Sequence, residues 1–125
     1  MKFKLAKSYR YWWPVTIRQP DPDNAGKLVE MKLKLLFEPS NREEVLESQK
    51  RFSELASEAE RMEHETAQYL RVVKGWDDVV DEDDGQQVPF SEELFRQALS
   101  HSWFRAGVER AYVESLLGEE ARLGN

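Results

Sequence analysis

Residues 9–18, "YRYWWPVTIR", alternate between two faces. Tyr9, Tyr11, Trp13, Val15 and Ile17 fall on one face, and Arg10, Trp12, Pro14, Thr16 and Arg18 on the other. A period of two with aromatic and β-branched residues predicts a strand. Residues 28–37, "LVEMKLKLLF", repeat the pattern, with Val29, Met31, Leu33, Leu35 and Phe37 on the apolar face. The intervening "QPDPDNAGK" is rich in turn formers. The pair therefore reads as a long antiparallel hairpin with one buried face. Pro14 has no N–H for a ladder, which puts its strand at a sheet edge. Residues 2–6 either lengthen this strand or form a short one.

The period changes after Ser40. "SNRE" sets Glu43 three residues beyond Ser40, the spacing of a capping box. Val45, Phe52, Ala59, Thr66 and Val73 then recur in sevens, as do Leu55, Met62 and Tyr69, with no Gly or Pro before Gly75. This predicts one long helix over 40–74, of about 33 residues and about 50 Å. Most of this stripe is expected to be core; a hairpin and two short helices would not cover all of it, and the sharper reading sets its distal end on a partner or a second copy.

Two shorter helices follow. Ser91 is placed to cap the first, with Phe90 and Phe95 at the spacing of a hydrophobic staple, and it should end near Ser100. Ser102 is placed to cap the second, whose stripe is Trp103, Phe104, Val108, Ala111, Tyr112, Leu116 and Leu117, with Gly118 just past its end. The expected fold is a single α+β domain. Its β-hairpin region (1–38) packs on the long helix (40–74), a turn or small hairpin (76–90) and two helices (91–118), with a polar tail at 119–125.

The bulk composition agrees with one such domain: 125 residues, 40% hydrophobic and 34% charged. No apolar run is long enough to span a membrane, and no signal peptide is recognised in "MKFKLAKSYRYWW". The absence of cysteine removes disulfide and thiolate chemistry and fits a cytoplasmic protein. The net charge of −6 is unevenly spread: residues 1–38 carry eight Lys/Arg against four acids, the remainder ten against twenty. Opposite poles favour docking of one part on another or head-to-tail self-association; a solvated surface with segregated charge is the plainer reading.

Six acidic residues lie between Trp76 and Gly85. With Gly85 at the sixth place of a calcium loop, the ligand places fall on Val80, Glu82, Asp84 and Ser91, and the first and last ligands are missing. "DEDDGQ" therefore reads as a turn. His64 has Glu60 one turn back but no third ligand, and His101 sits at a helix junction. No phosphate loop, catalytic triad or cofactor motif is recognised, so the chain is read as a non-enzyme without metal or cofactor. Nucleic acid is disfavoured as well, because the acidic balance repels phosphate and three of the hairpin aromatics share the face to be buried.

Several segments follow one another in a fixed order: "YWWPVTIRQP", "LLFEPS", a charged helix, "VVKGWDDVVDEDDGQQVPFSEELFRQAL" and "FRAGVERAYVESLLGEEARLGN". In this the chain resembles, over nearly its full length, the tail assembly chaperones of long, non-contractile-tailed bacteriophages and their prophages. The residues that carry the likeness are Trp13, Pro14, Gly75, Trp76, Asp81, Gly85, Pro89, Phe90, Ser91 and Tyr112. Between Asp81 and Gly85 the chain is one residue longer than the family pattern. The resemblance implies a non-enzymatic protein of the host bacterial cytoplasm that is absent from the mature virion. It would bind the tape measure protein and hold it soluble and extended while tail tube subunits polymerise around it, which brings the tail tube protein within reach as a second partner. A small non-catalytic adaptor or regulator, binding a folded partner or nucleic acid, is the alternative.

Two surfaces are candidates for the client. Periodicity leaves Trp12, Leu28 and Leu36 on the outer face of the hairpin among Lys32 and Lys34, where an apolar helix with acidic flanks would fit. The other candidate is the long helix around Met62 and Tyr69.

Overall fold

The computed structural model describes residues 1–118. The alternating segments form β1 (Tyr11–Pro20) and β2 (Leu28–Phe37), paired antiparallel from Tyr11↔Phe37 to Pro20↔Leu28. The turn between them is organised by Asp21. Its carboxylate accepts from the Asp23 backbone N–H at 2.9 Å and the Asn24 side chain at 3.0 Å, and these bonds hold it below the ordinary carboxylate range. Gly26, at φ 79°, supplies the left-handed residue. Residues 1–10 lie outside the sheet, so 2–6 neither lengthen β1 nor form a strand. They alternate in sequence but pair with no strand.

The long helix of the sequence reading is two helices and a strand. α1 (Arg42–Ser53) begins at Asn41, which shares a capping box with Glu44; Ser40 and Glu43 do not form it. The chain breaks at residues 54–57 and restarts as α2 (Glu58–Val72), capped by Ser57, whose hydroxyl accepts from the Glu60 N–H at 3.1 Å. Arg61 steadies the break by donating to the Leu55 carbonyl at 3.1 Å. At Val73 the backbone becomes extended and enters β3 (Val73–Asp77), which pairs antiparallel with β2. The sheet order is β1-β2-β3, so Pro14 does sit on an edge strand. Leu36 pairs with Gly75 and Phe37 with Val73, leaving Lys74 as a bulge residue. That extra residue lets both Val73 and Trp76 face inward.

After β3, the acidic stretch forms a small hairpin closed by a Val80–Gln87 bridge. Asp81 Oδ1 accepts from the N–H of Asp83 at 2.8 Å and of Asp84 at 3.2 Å, and Gly85 turns the chain at φ 69°. The carboxylate at the centre of the loop thus serves the loop's own backbone. Trp76 Nε1 donates to the Val88 carbonyl at 2.7 Å, tying this hairpin to β3. α3 (Glu92–Leu99) is capped by Ser91, as the sequence predicts, and the Phe90 and Phe95 rings lie 5.8 Å apart. α4 (Ser102–Leu117) takes His101 as its N-cap residue without a side-chain bond, so Ser102 is its first residue and not its cap. It ends at Gly118, φ 72°. The predicted tail at 119–125 lies outside the described residues.

The helices cover one face of the sheet. Val15, Ile17, Leu33, Leu35, Phe37 and Val73 meet Val72, Phe95, Leu99, Val108 and Ala111 in one core. Met31 is an exception to the predicted pattern: it shares the inner face in sequence but is 46% exposed, and β3, which pairs with β2 only from Lys34 to Phe37, does not flank it. Trp76 is half-buried, edge-on to Phe90 at 5.4 Å and near Phe95 at 6.4 Å. Tyr112 packs on Phe37 at 5.2 Å, and Tyr11 hydrogen-bonds Ser115 at 2.8 Å, which fixes the C-terminal half of α4 against β1.

Gly107 sets the approach of α4 to the sheet. A Cβ there would lie 2.5 Å from Ile17 Cδ1 and 2.9 Å from the Thr16 carbonyl oxygen. Ile17 can rotate, but the Thr16 backbone cannot move without disturbing the ladder. Gly107→Ala should therefore lower unfolding stability by about 1–3 kcal/mol in denaturant melts, despite alanine's better helix propensity. Stability equal to or above that of the parent would mean that α4 does not pack on β1 this closely.

Candidate protein-binding surfaces

The outer face of the sheet separates residues that the sequence reading grouped together. Trp12 stands opposite Leu36, which stands opposite Gly75. The Trp12 ring reaches across two strands, and a Cβ on Gly75 would lie 3.8 Å from its tip. A methyl group there would make ordinary contact with the indole, which stays 50% exposed. Leu36 is half-buried. Lys34 is opposite Pro14 and 3.5 Å from Asp78, while Lys32 is opposite Thr16. Leu28 is exposed but lies at the far end of the hairpin, opposite Pro20, and is no part of the Trp12 patch. What remains is a small apolar spot with a lysine flank.

The second surface is created by the fold-back of α1 onto α2. None of the α1 side chains is buried, and Val45, Leu46 and Phe52 stay exposed. Polar contacts hold the helix instead. Arg71 pairs with Glu44 at 2.5 Å, and Ser48 Oγ lies 3.0 Å from His64 Nε2. Between the helices runs an open cleft of about 360 Å³ lined by Ser48, Gln49, Phe52, His64, Glu65, Gln68 and Tyr69. A second hollow of about 200 Å³ continues it past Val45 and Val72 to Tyr112. Phe52 and His64 face each other at 5.9 Å.

Tyr69 forms part of the cleft floor. Burial, with Glu109 and Glu65 nearby, pushes its phenol up to about 12, and the Arg105 guanidinium sits 5.9 Å from its ring centre. The phenol of Tyr112 is also raised by burial. Both stay neutral across the physiological range and act as amphipathic contact surface. Met62, two turns before Tyr69 on α2, is 57% exposed and lies beyond the cleft lining.

The residues that carry the family likeness are spread over the fold. Trp13 packs at the core margin and Pro14 on the outer edge. Trp76, Phe90 and Tyr112 border the core, Asp81 and Gly85 shape the acidic hairpin, Ser91 caps α3, and Pro89 is exposed beside it. They converge on no single site. Sequence reasoning missed Val45 and Phe52 as neighbours of His64, Gln68 and Tyr69, because only the chain reversal at 54–57 brings them together. The available signal was Ser57 with Glu60, a second S-x-x-E start inside the long helical pattern.

The Glu44 carboxyl is held below its usual 4.5, chiefly by the Asn41 backbone N–H and then by Arg71. A depressed folded-state value contributes stability above the unfolded pKa and loses it as pH falls through the folded one. Docking of α1 should therefore weaken only below pH 4.5. A side-chain carboxyl NMR titration should give Glu44 a midpoint under that value, with the Asn41 amide shift following the same curve. A midpoint at or above it would mean that the capping box and the Arg71 pair do not form in solution.

Among the described residues no group of three or more His, Asp or Glu is placed to hold a metal ion, and no helix is long and apolar enough to cross a membrane. Comparisons with protein-family models, with curated proteins and with solved structures find no match to this chain.

Proposed function

We propose that this chain is a non-enzymatic binding protein of the tail assembly chaperone kind, holding apolar helical segments of a tape measure protein soluble during tail tube assembly. The observation that carries the reading is α1: a helix that buries none of its residues yet roofs an apolar cleft. Ordinary surface helices pack their apolar stripe on the core. Here Val45 and Phe52 are left half in solvent beside Tyr69, an arrangement suited to a helix laid into a groove. The sheet patch around Trp12 offers less apolar area and no concavity, so the cleft is the better-supported client surface.

The test is co-expression with a tape measure protein, scoring capture and melting temperature together. Phe52 is 42% exposed, so Phe52→Ser should leave the melt nearly unchanged while reducing capture about tenfold. Trp12→Ser should leave capture intact. The reverse result would move the client site to the sheet. Failure of the parent protein to capture the client would favour the adaptor reading, in which the chain binds a folded partner.

A further inference from the structure

Residues 42–72 carry a sequence for one helix and a structure of two. The rows Val45, Phe52, Ala59 and Leu55, Met62 run through the break in register, spaced by seven. The break holds no Gly or Pro. It is Glu54-Leu55-Ala56-Ser57, all compatible with helix. Glu54 already has helical backbone angles, whereas Ser57 is extended at φ −112°, ψ 155°. Few contacts hold the reversal: Ser48 and the Phe52 ring with His64, Glu44 with Arg71, and Arg61 with the Leu55 carbonyl. No buried side chain on α1 would be exposed by opening it.

We propose that this segment straightens into one continuous helix over 42–72 when an amphipathic helix with basic flanks pairs with its stripe. Straightening aligns Val45, Phe52, Leu55, Ala59 and Met62 on one face, in the 3.5-residue repeat that selects a helical partner. The charged flanking positions are Glu44, Glu58, Glu63 and Glu65 against the single base Arg51, so the complementary partner is basic beside its apolar seam. A parallel second copy is the wrong partner, because it would set Glu58 against Glu63. Without a partner the stripe would be left in water, and the closed form keeps Phe52 and Tyr69 around one cleft. The helical ligand binds the open form alone and shifts the population towards it. This inference rests on the reading of the chain as a helix-binding protein and adds the opening that admits the helix and the charge of its flanks.

The full chain has no cysteine, so Glu47→Cys with Ala67→Cys gives a unique thiol pair. The two positions line the same pocket in the closed form. Twenty residues apart in sequence, they would separate to about 30 Å along a continuous helix. The probes are two four-heptad peptides with Leu at both seam positions, one with Lys and one with Glu at the flanks. Spin labels on the pair should report a short distance in the free protein and with the Glu peptide. The Lys peptide should populate the long distance. Joining the thiols with a short reducible cross-linker should weaken binding of the Lys peptide about tenfold or more, and reduction should restore it. Binding with the short distance retained would overturn the straightening and leave the binding reading standing. Equal opening by both peptides would overturn the basic partner. Binding of neither would overturn the helix pairing together with the cleft as a helix site.

Discussion

The sheet has only one face that the chain can cover, and the rest of the structure follows from how that face is covered. Val15, Leu35, Phe37 and Val73 are fully enclosed, and each needs a helix above it. α3 contributes Phe95 and Leu99; α4 contributes Val108 and Ala111, brought close by Gly107. The last turn of α2 contributes Val72. Burial of this apolar area is the dominant favourable term, at about 25 cal/mol per Å². α1 adds no buried side chain to this core. Its apolar side chains stay at the surface, and capping bonds and ion pairs set its position.

The acidic segment has a structural explanation. Its central carboxylate, Asp81, accepts from two N–H groups of its own loop, and the flanking Trp76 and Phe90 stack toward Phe95. The loop's charge is thus attached to an aromatic anchor that joins β3 to α3. Asp78 adopts φ 64° beside Lys34, which links the start of the same loop to the outer face of β2.

Much of this fold is legible in the sequence where local and tertiary preferences agree. The hairpin register follows from strict alternation, α3 from Ser91 and its staple, and the end of α4 from Gly118. The reading fails where short-range signals compete. At residues 54–57 the heptad rows favour continuity while Ser57 offers a new cap, and the chain takes the cap. β3 is only five residues long and contains a bulge, so its inward residues, Val73 and Trp76, do not alternate. Trp12 is read correctly as an outer-face residue. The cleft itself could not be read, because Phe52 and His64 become neighbours only through the chain reversal.

The central claim is that α1 stands apart energetically from the domain that it roofs. Native-state hydrogen exchange with increasing denaturant measures this directly. The account predicts that α1 amides exchange through a local opening, nearly insensitive to denaturant and several kcal/mol below the opening of β2 and α4. Exchange of α1 amides only through global unfolding, at the same free energy and slope as β2, would contradict it.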